Sequence, residues 1–135
     1  MRMWKAALLL ALLCVAPGCA STNPSGPEPI EDCPGSVGIS VTGGTAPRFS
    51  WTPRCRLFFL NVEPADAGTD QWTVYSDSAN LIAPPVTYGV IPAGAVELTS
   101  PTQLVAGEDY KVVLARFTGP GPQDGELIGI QTFTP

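Results

Sequence analysis

The chain has 135 residues, with seven basic and twelve acidic side chains, no histidine and a formal net charge of −5. An acidic chain is a poor electrostatic partner for nucleic acid, and without histidine it lacks the commonest general base and zinc ligand. We therefore expect no nucleic-acid binding, no metal, no cofactor and no enzymatic activity.

The first 18 residues have the layout of a secretion signal. Arg2 and Lys5 make a positive start, and residues 6–15 are apolar throughout. A helix over this apolar segment is too short to cross a hydrocarbon core of about 30 Å. The sequence therefore predicts a cleaved signal peptide at residues 1–18.

The end of the signal resembles a bacterial lipobox, with Ala-Pro-Gly-Cys at residues 16–19. The family pattern has Leu where this chain has Ala16, and Pro17 is an uncommon occupant of its position. The resemblance implies that Cys19 becomes the first residue of a bacterial lipoprotein, anchored in a membrane by acyl chains such as palmitate. Because Ala20 follows, and not the Asp of inner-membrane retention, it also implies the outer membrane, on its periplasmic or surface side. The alternative is plain secretion, with cleavage after Ala20.

Residues 20–32 are polar and contain prolines at positions 24, 27 and 29. They have no apolar run to bury, which predicts a disordered tether over residues 19–32 with a reach of at most ~40 Å. Without the signal, five basic and twelve acidic side chains remain, a net charge of −7. Residues 33–135 are expected to form one domain.

A β-hairpin is predicted at the start of this domain. Alternating apolar residues flank a Gly-Gly turn at residues 43–44: Val37, Ile39, Val41, Phe49 and Trp51. Opposed residue numbers in such a hairpin add to 87, and those of Cys33 and Cys55 add to 88. In an oxidising envelope this position beyond the open end of the hairpin predicts a Cys33–Cys55 disulfide. Two free thiols are the alternative.

Further short apolar runs, separated by Pro and Gly, indicate an all-β sandwich of about seven strands. The runs lie at residues 36–41, 47–53, 56–62, 72–75, 82–90, 95–99, 110–117 and 127–133. The run at 82–90 contains two consecutive prolines and is at best an edge strand.

Two segments resemble fibronectin type III and immunoglobulin-like domains. Pro-Arg-Phe-Ser-Trp at residues 47–51 is similar to the family's second strand, and Leu-Val-Ala-Gly-Glu-Asp-Tyr at 104–110 is similar to the lead into its sixth strand. The resemblance covers residues 34–135 and implies a core position for Trp51. It also implies that Tyr110 is a corner tyrosine whose hydroxyl bonds to upstream backbone. The family implies an architecture and a habit of binding, and no chemistry.

Leu57, Phe59 and Trp72 form a candidate binding patch. If Leu60 and its alternate neighbours face the core, Leu57 and Phe59 face outward, and adjacent large apolar groups on a sheet can dock a partner. The alternative, which we favour, is that a neighbouring strand or loop covers Leu57 and Phe59. Trp72 belongs either to the same patch or to the core.

The acidic side chains at residues 63–70 lack the ligand spacing of a calcium loop and are interpreted as a solvated turn. Anchor, tether and small sandwich together favour a non-enzymatic, lipid-anchored envelope protein that binds another envelope protein. The alternatives are a carbohydrate- or cell-wall-binding module and a small hydrolase.

Overall fold

The structure, a computed structural model, describes residues 29–135. This part of the chain forms eight β-strands and no helix: β1 Gly38–Thr42, β2 Arg48–Thr52, β3 Phe59–Pro64, β4 Trp72–Tyr75, β5 Val86–Thr87, β6 Val96–Thr99, β7 Tyr110–Phe117 and β8 Gly125–Phe133. The predicted signal peptide, Cys19 and most of the tether lie outside the described residues.

The strands form two antiparallel sheets packed as a β-sandwich, which confirms the predicted all-β class. One sheet has the order β1-β2-β5, and the other has the order β6-β4-β3-β7-β8. Since side chains alternate along a strand, one face of each sheet contributes to a shared core. The largest fully buried side chains of this core are Trp72, Phe49, Leu57, Leu60, Ile82, Leu104 and Leu114. The outer face of the five-stranded sheet lies away from it.

The β1–β2 hairpin forms in a register different from the predicted one. Ile39 lies opposite Trp51, so opposed residue numbers add to 90 and not to 87. The connection is longer than a two-residue turn, because the pairing stops at Thr42 and Arg48. Gly44 lies within this loop at a φ of +91°, a conformation that favours glycine.

The predicted Cys33–Cys55 disulfide is present, with Cα atoms 4.7 Å apart. Its surroundings differ from the prediction, because residues 31–33 run parallel to residues 55–57 and do not extend the hairpin. Cys33 N–H donates to the Arg56 carbonyl at 2.8 Å, and Arg56 N–H donates to the Glu31 carbonyl at 2.7 Å. The predicted hairpin register therefore identified the correct pair of cysteines, although the pairing that it assumed around them is not the one in the structure.

Trp51 and Tyr110 both lie in the core, and each satisfies its polar group. Trp51 Nε1–H donates to the Cys55 carbonyl at 2.8 Å. The Tyr110 hydroxyl accepts from Val105 N–H at 3.0 Å and donates to the Glu108 carboxylate at 3.2 Å. The first of these is a bond to upstream backbone of the kind that the family resemblance implies.

Candidate docking surface

Two of the three residues in the candidate patch are buried. Leu57 and Trp72 are both 0 % exposed, and only Phe59 is partly accessible, so these three residues do not form an exposed patch. The chain bends at Phe58 before β3 begins, and Leu57 pairs with Ile82 through backbone hydrogen bonds of 2.9 Å in each direction. The bend shifts the alternation by one residue. Leu57 therefore packs in the core, and Phe58, which alternation assigns to the core, lies on the outer side.

Trp72 belongs to the core-facing side of β4. Its indole N–H donates to the Glu97 carboxylate at 3.0 Å, and its ring meets the Tyr88 ring at a centroid distance of 5.4 Å. The Tyr88 hydroxyl donates to the Thr102 carbonyl at 2.6 Å, and burial raises the pKa of Tyr88 to about 12. These contacts hold the sandwich together, and they leave Trp72 no surface for a ligand.

An apolar row crosses the outer face of the five-stranded sheet from edge to edge. Strand pairing aligns one residue from each strand in the order Val96, Tyr75, Phe59, Ala115 and Leu127, and we term these five residues the apolar row. Val96 and Leu127, at the two edges, are 50 % and 55 % exposed, whereas the inner three are half-buried. With neighbouring strands about 4.8 Å apart, the row is about 19 Å long.

The next row on this face is mixed in character. Ile130 is 53 % exposed beside Val113, but Asn61, at the centre of the row, is only 6 % exposed. The Asn61 amide oxygen accepts from the Thr73 hydroxyl at 2.8 Å, and its amide nitrogen donates to the Asp70 carboxylate at 3.0 Å. The buried amide is therefore satisfied within the sheet face itself.

The third row on this face is charged. Lys111 Nζ lies 3.0 Å from the Glu63 carboxylate across the β3–β7 pair, and the Asn61 amide nitrogen lies 3.3 Å from the same carboxylate. Because these polar groups already have partners, a protein that docks here does not bury an unpaired charge. The face grades from apolar at one end to polar and charged at the other.

A pocket of about 260 Å³ opens beside Tyr75 at the apolar end of the face. Its lining consists of three aromatic rings, two prolines, a buried serine and an exposed aspartate: Phe58, Tyr75, Phe117, Pro120, Pro122, Ser76 and Asp77. The Phe58 and Phe117 rings stack with their centroids 3.8 Å apart and their planes at 19°. We term this site the aromatic pocket. The sequence pattern does not indicate this pocket, because residues 119–122 are predicted only as a turn and the alternation of apolar residues places Phe58 in the core.

A larger pocket of about 480 Å³ lies over the disulfide and is lined by charges of both signs, among them Arg54, Arg116 and Asp32. Arg116 is already engaged, since its Nη1 donates to the Cys33 carbonyl at 2.6 Å and its Nη2 lies 2.7 Å from the Glu126 carboxylate. This pocket offers a ligand no strong excess of either charge.

No three His, Cys, Asp or Glu side chains within residues 29–135 come together as a metal site. In the same range, no helix has the length and apolar character needed to span a bilayer. The candidate site of the described domain is therefore a surface, formed by the apolar row and the aromatic pocket. In comparisons with known proteins, no family model, no curated protein and no solved structure matches the chain.

Proposed function

We propose that the protein is a non-enzymatic, lipid-anchored protein of the bacterial cell envelope that binds another envelope protein through the outer face of its five-stranded sheet. The observation that carries this proposal is the apolar row, which is continuous across five strands and offers Val96 and Leu127 to solvent. Surfaces that bind proteins combine apolar contacts with polar ones, and this face offers both. Lipidation of Cys19 at the outer membrane holds the face within a tether's length of the bilayer.

We propose further that the domain is of the fibronectin type III or immunoglobulin-like type. Such sandwiches pair their first two strands in one sheet and place the third beside the sixth and seventh in the other. The pairing of β1 with β2, and of β3 with β7 and β7 with β8, supports this assignment. The hydrogen bond from Val105 N–H to the Tyr110 hydroxyl supports it as well. β6, which pairs with β4, is an addition to that plan.

Carbohydrate or cell-wall binding is the alternative, and it would use exposed aromatic side chains, with Phe59 and Trp72 as the candidates, as platforms for sugar rings. The burial of Trp72 removes the larger of the two platforms. The protein-binding proposal is therefore the better supported, and glycan capture is an outcome that the experiment below can detect.

Site-specific photo-cross-linking in intact cells tests the proposal. Benzoylphenylalanine in place of Ile130 puts the cross-linker on the outer sheet face, and in place of Val105 it puts the cross-linker on the loop before β7. The two positions are matched in exposure, at 53 % and 51 %. We expect one recurrent envelope protein, identified by mass spectrometry, from position 130 and not from position 105.

A variant with Val96→Lys and Leu127→Lys supplies the second arm. Both side chains are half exposed, so lysine at these positions removes the apolar ends of the row without disturbing the core. We expect the yield from position 130 to fall by about tenfold or more, a loss of about 1.4 kcal/mol in binding. Undiminished capture by this variant, equal capture from positions 130 and 105, or capture of peptidoglycan fragments alone would contradict the proposal.

A further inference from the structure

We infer that the aromatic pocket binds an extended, proline-containing segment that carries a basic residue and belongs to the partner protein. This inference rests on the proposed function, because it names the chemistry by which the docked partner is recognised.

The shape of the pocket favours flat, rigid rings. Phe58 and Phe117 stack on each other, Tyr75 belongs to both the pocket and the apolar row, and the exposed Pro120 and Pro122 also line the pocket. A polyproline II segment has three residues per turn and a preformed backbone, so its prolyl rings dock on aromatic and proline surfaces at low entropic cost.

The rim of the pocket favours a positive charge on the ligand. Asp77 is exposed and has no ion pair among the described residues, and neither Lys nor Arg lines the pocket. Residues 29–135 carry eleven acidic and five basic side chains, so the surrounding field is also negative. A lysine or arginine beside the prolines is therefore attracted to the rim.

The protein's own tether is the competing occupant. A neighbouring pocket shares Phe117 and Pro120 with the aromatic pocket and reaches Asp32, close to where the described chain begins. Residues 23–29, Asn-Pro-Ser-Gly-Pro-Glu-Pro, contain three prolines but only negative charge. Asp77 repels such a segment, so a basic segment of another protein is the better match.

Fluorescence anisotropy with the full chain in mild detergent tests this inference. The probe is a labelled ten-residue peptide of repeated Pro-Pro-Ala that contains one Arg, and two control peptides replace either every Pro by Ala or the Arg by Glu. We expect saturable binding of the probe with a Kd between about 10 μM and about 1 mM. Each control peptide should bind at least about fivefold more weakly.

Variants locate the binding. Phe117→Ala removes one of the two stacked rings, and Asp77→Lys inverts the charge of the rim at an exposed position that does not support the fold. Each variant should raise the Kd of the probe peptide by about tenfold. Asp66→Lys, which makes the same charge change in a different exposed turn, should leave the Kd unchanged.

Absence of saturable probe binding at millimolar peptide, or binding that survives both Phe117→Ala and Asp77→Lys, overturns the inference. Tighter, Phe117-dependent binding of a peptidoglycan oligosaccharide also overturns it, in favour of a glycan. Probe binding that appears only after Pro24→Ala and Pro27→Ala assigns the pocket to the tether and overturns it too. If the inference fails in one of these ways but the Asp77→Lys variant still cross-links from position 130, the sheet-face proposal survives without the pocket.

Discussion

Removal of the Cys33–Cys55 disulfide should lower the Tm by roughly 15 °C. The two cysteines are 22 residues apart and close a loop that contains the whole β1–β2 hairpin. In the chain-entropy treatment, a loop of this length removes about 11 cal/mol/K from the unfolded chain, or about 3.4 kcal/mol at 25 °C. The unfolding entropy of about 2.1 cal/mol/K per residue, over the 107 residues of 29–135, converts this free energy into the stated shift.

The appropriate perturbation is the double variant Cys33→Ala and Cys55→Ala. Both cysteines are buried, and alanine leaves neither a reactive thiol nor a buried hydroxyl in their place. The backbone hydrogen bonds between residues 31–33 and Arg56 do not depend on the sulfur atoms. The variant therefore tests the cross-link while it leaves the local pairing able to form.

Scanning calorimetry and urea unfolding, each on the double variant and the oxidised parent, measure the effect. The m-value should rise as well, because an unfolded chain without the cross-link exposes more surface. A decrease in Tm of less than about 5 °C would refute the loop-closure reasoning. It would mean that the β1–β2 hairpin persists in the unfolded chain.

Two further predictions concern buried hydroxyl groups. Tyr110→Phe removes the acceptor of Val105 N–H and should lower the free energy of unfolding, measured in urea, by about 1–2 kcal/mol. Tyr75→Phe is the control and should not lower it, because the Tyr75 hydroxyl has no hydrogen-bond partner among the described residues. Equal effects of the two substitutions would contradict the role of the Val105–Tyr110 hydrogen bond. Burial raises the pKa of Tyr88 to about 12, so the native state holds the phenolic proton more tightly than the unfolded chain does. The resulting contribution to the free energy of unfolding is complete below about pH 10 and is lost between about pH 10 and about pH 12. Tyr88→Phe should remove this part of the pH dependence in urea unfolding series, and an unchanged slope would show that another group is responsible.

Two strands were predictable from sequence in their full extent. β4 and β7 occupy Trp72–Tyr75 and Tyr110–Phe117, the ranges that the pattern indicates. Each lies between polar or glycine-containing segments, so the local sequence marks both of its ends. The disulfide was also predictable, because only two cysteines remain after those of the predicted signal peptide and the predicted lipid site are set aside.

The facing of residues around β3 could not be predicted in the same way. Residues 57–60 are Leu-Phe-Phe-Leu, and an unbroken apolar run has no alternation to say which side chain points inward. The pairing of Leu57 with Ile82, which accompanies the bend at Phe58, joins residues far apart in sequence.

The apolar row is even less predictable from the local sequence pattern. Its existence depends on the order of five strands and on the register of four strand pairs. A shift of one residue in any pair would turn that strand's contribution toward the other face. The candidate patch of Leu57, Phe59 and Trp72 therefore shares only Phe59 with the row that the folded sheet presents.

The Cys33–Cys55 bond also determines which strands bear a mechanical load. A force that pulls at residue 29 reaches Cys33 within a few residues, and the covalent bond passes it directly to Cys55, between β2 and β3. The β1–β2 hairpin lies between the two cysteines and is bypassed by the tension. The load enters β3, which is held on both sides by β4 and β7 and supplies the centre of the outer sheet face. In the proposed arrangement, with an anchored N-terminus and a partner on the outer sheet face, the tension is carried by an interior strand, and the edge strand β1 is not peeled away.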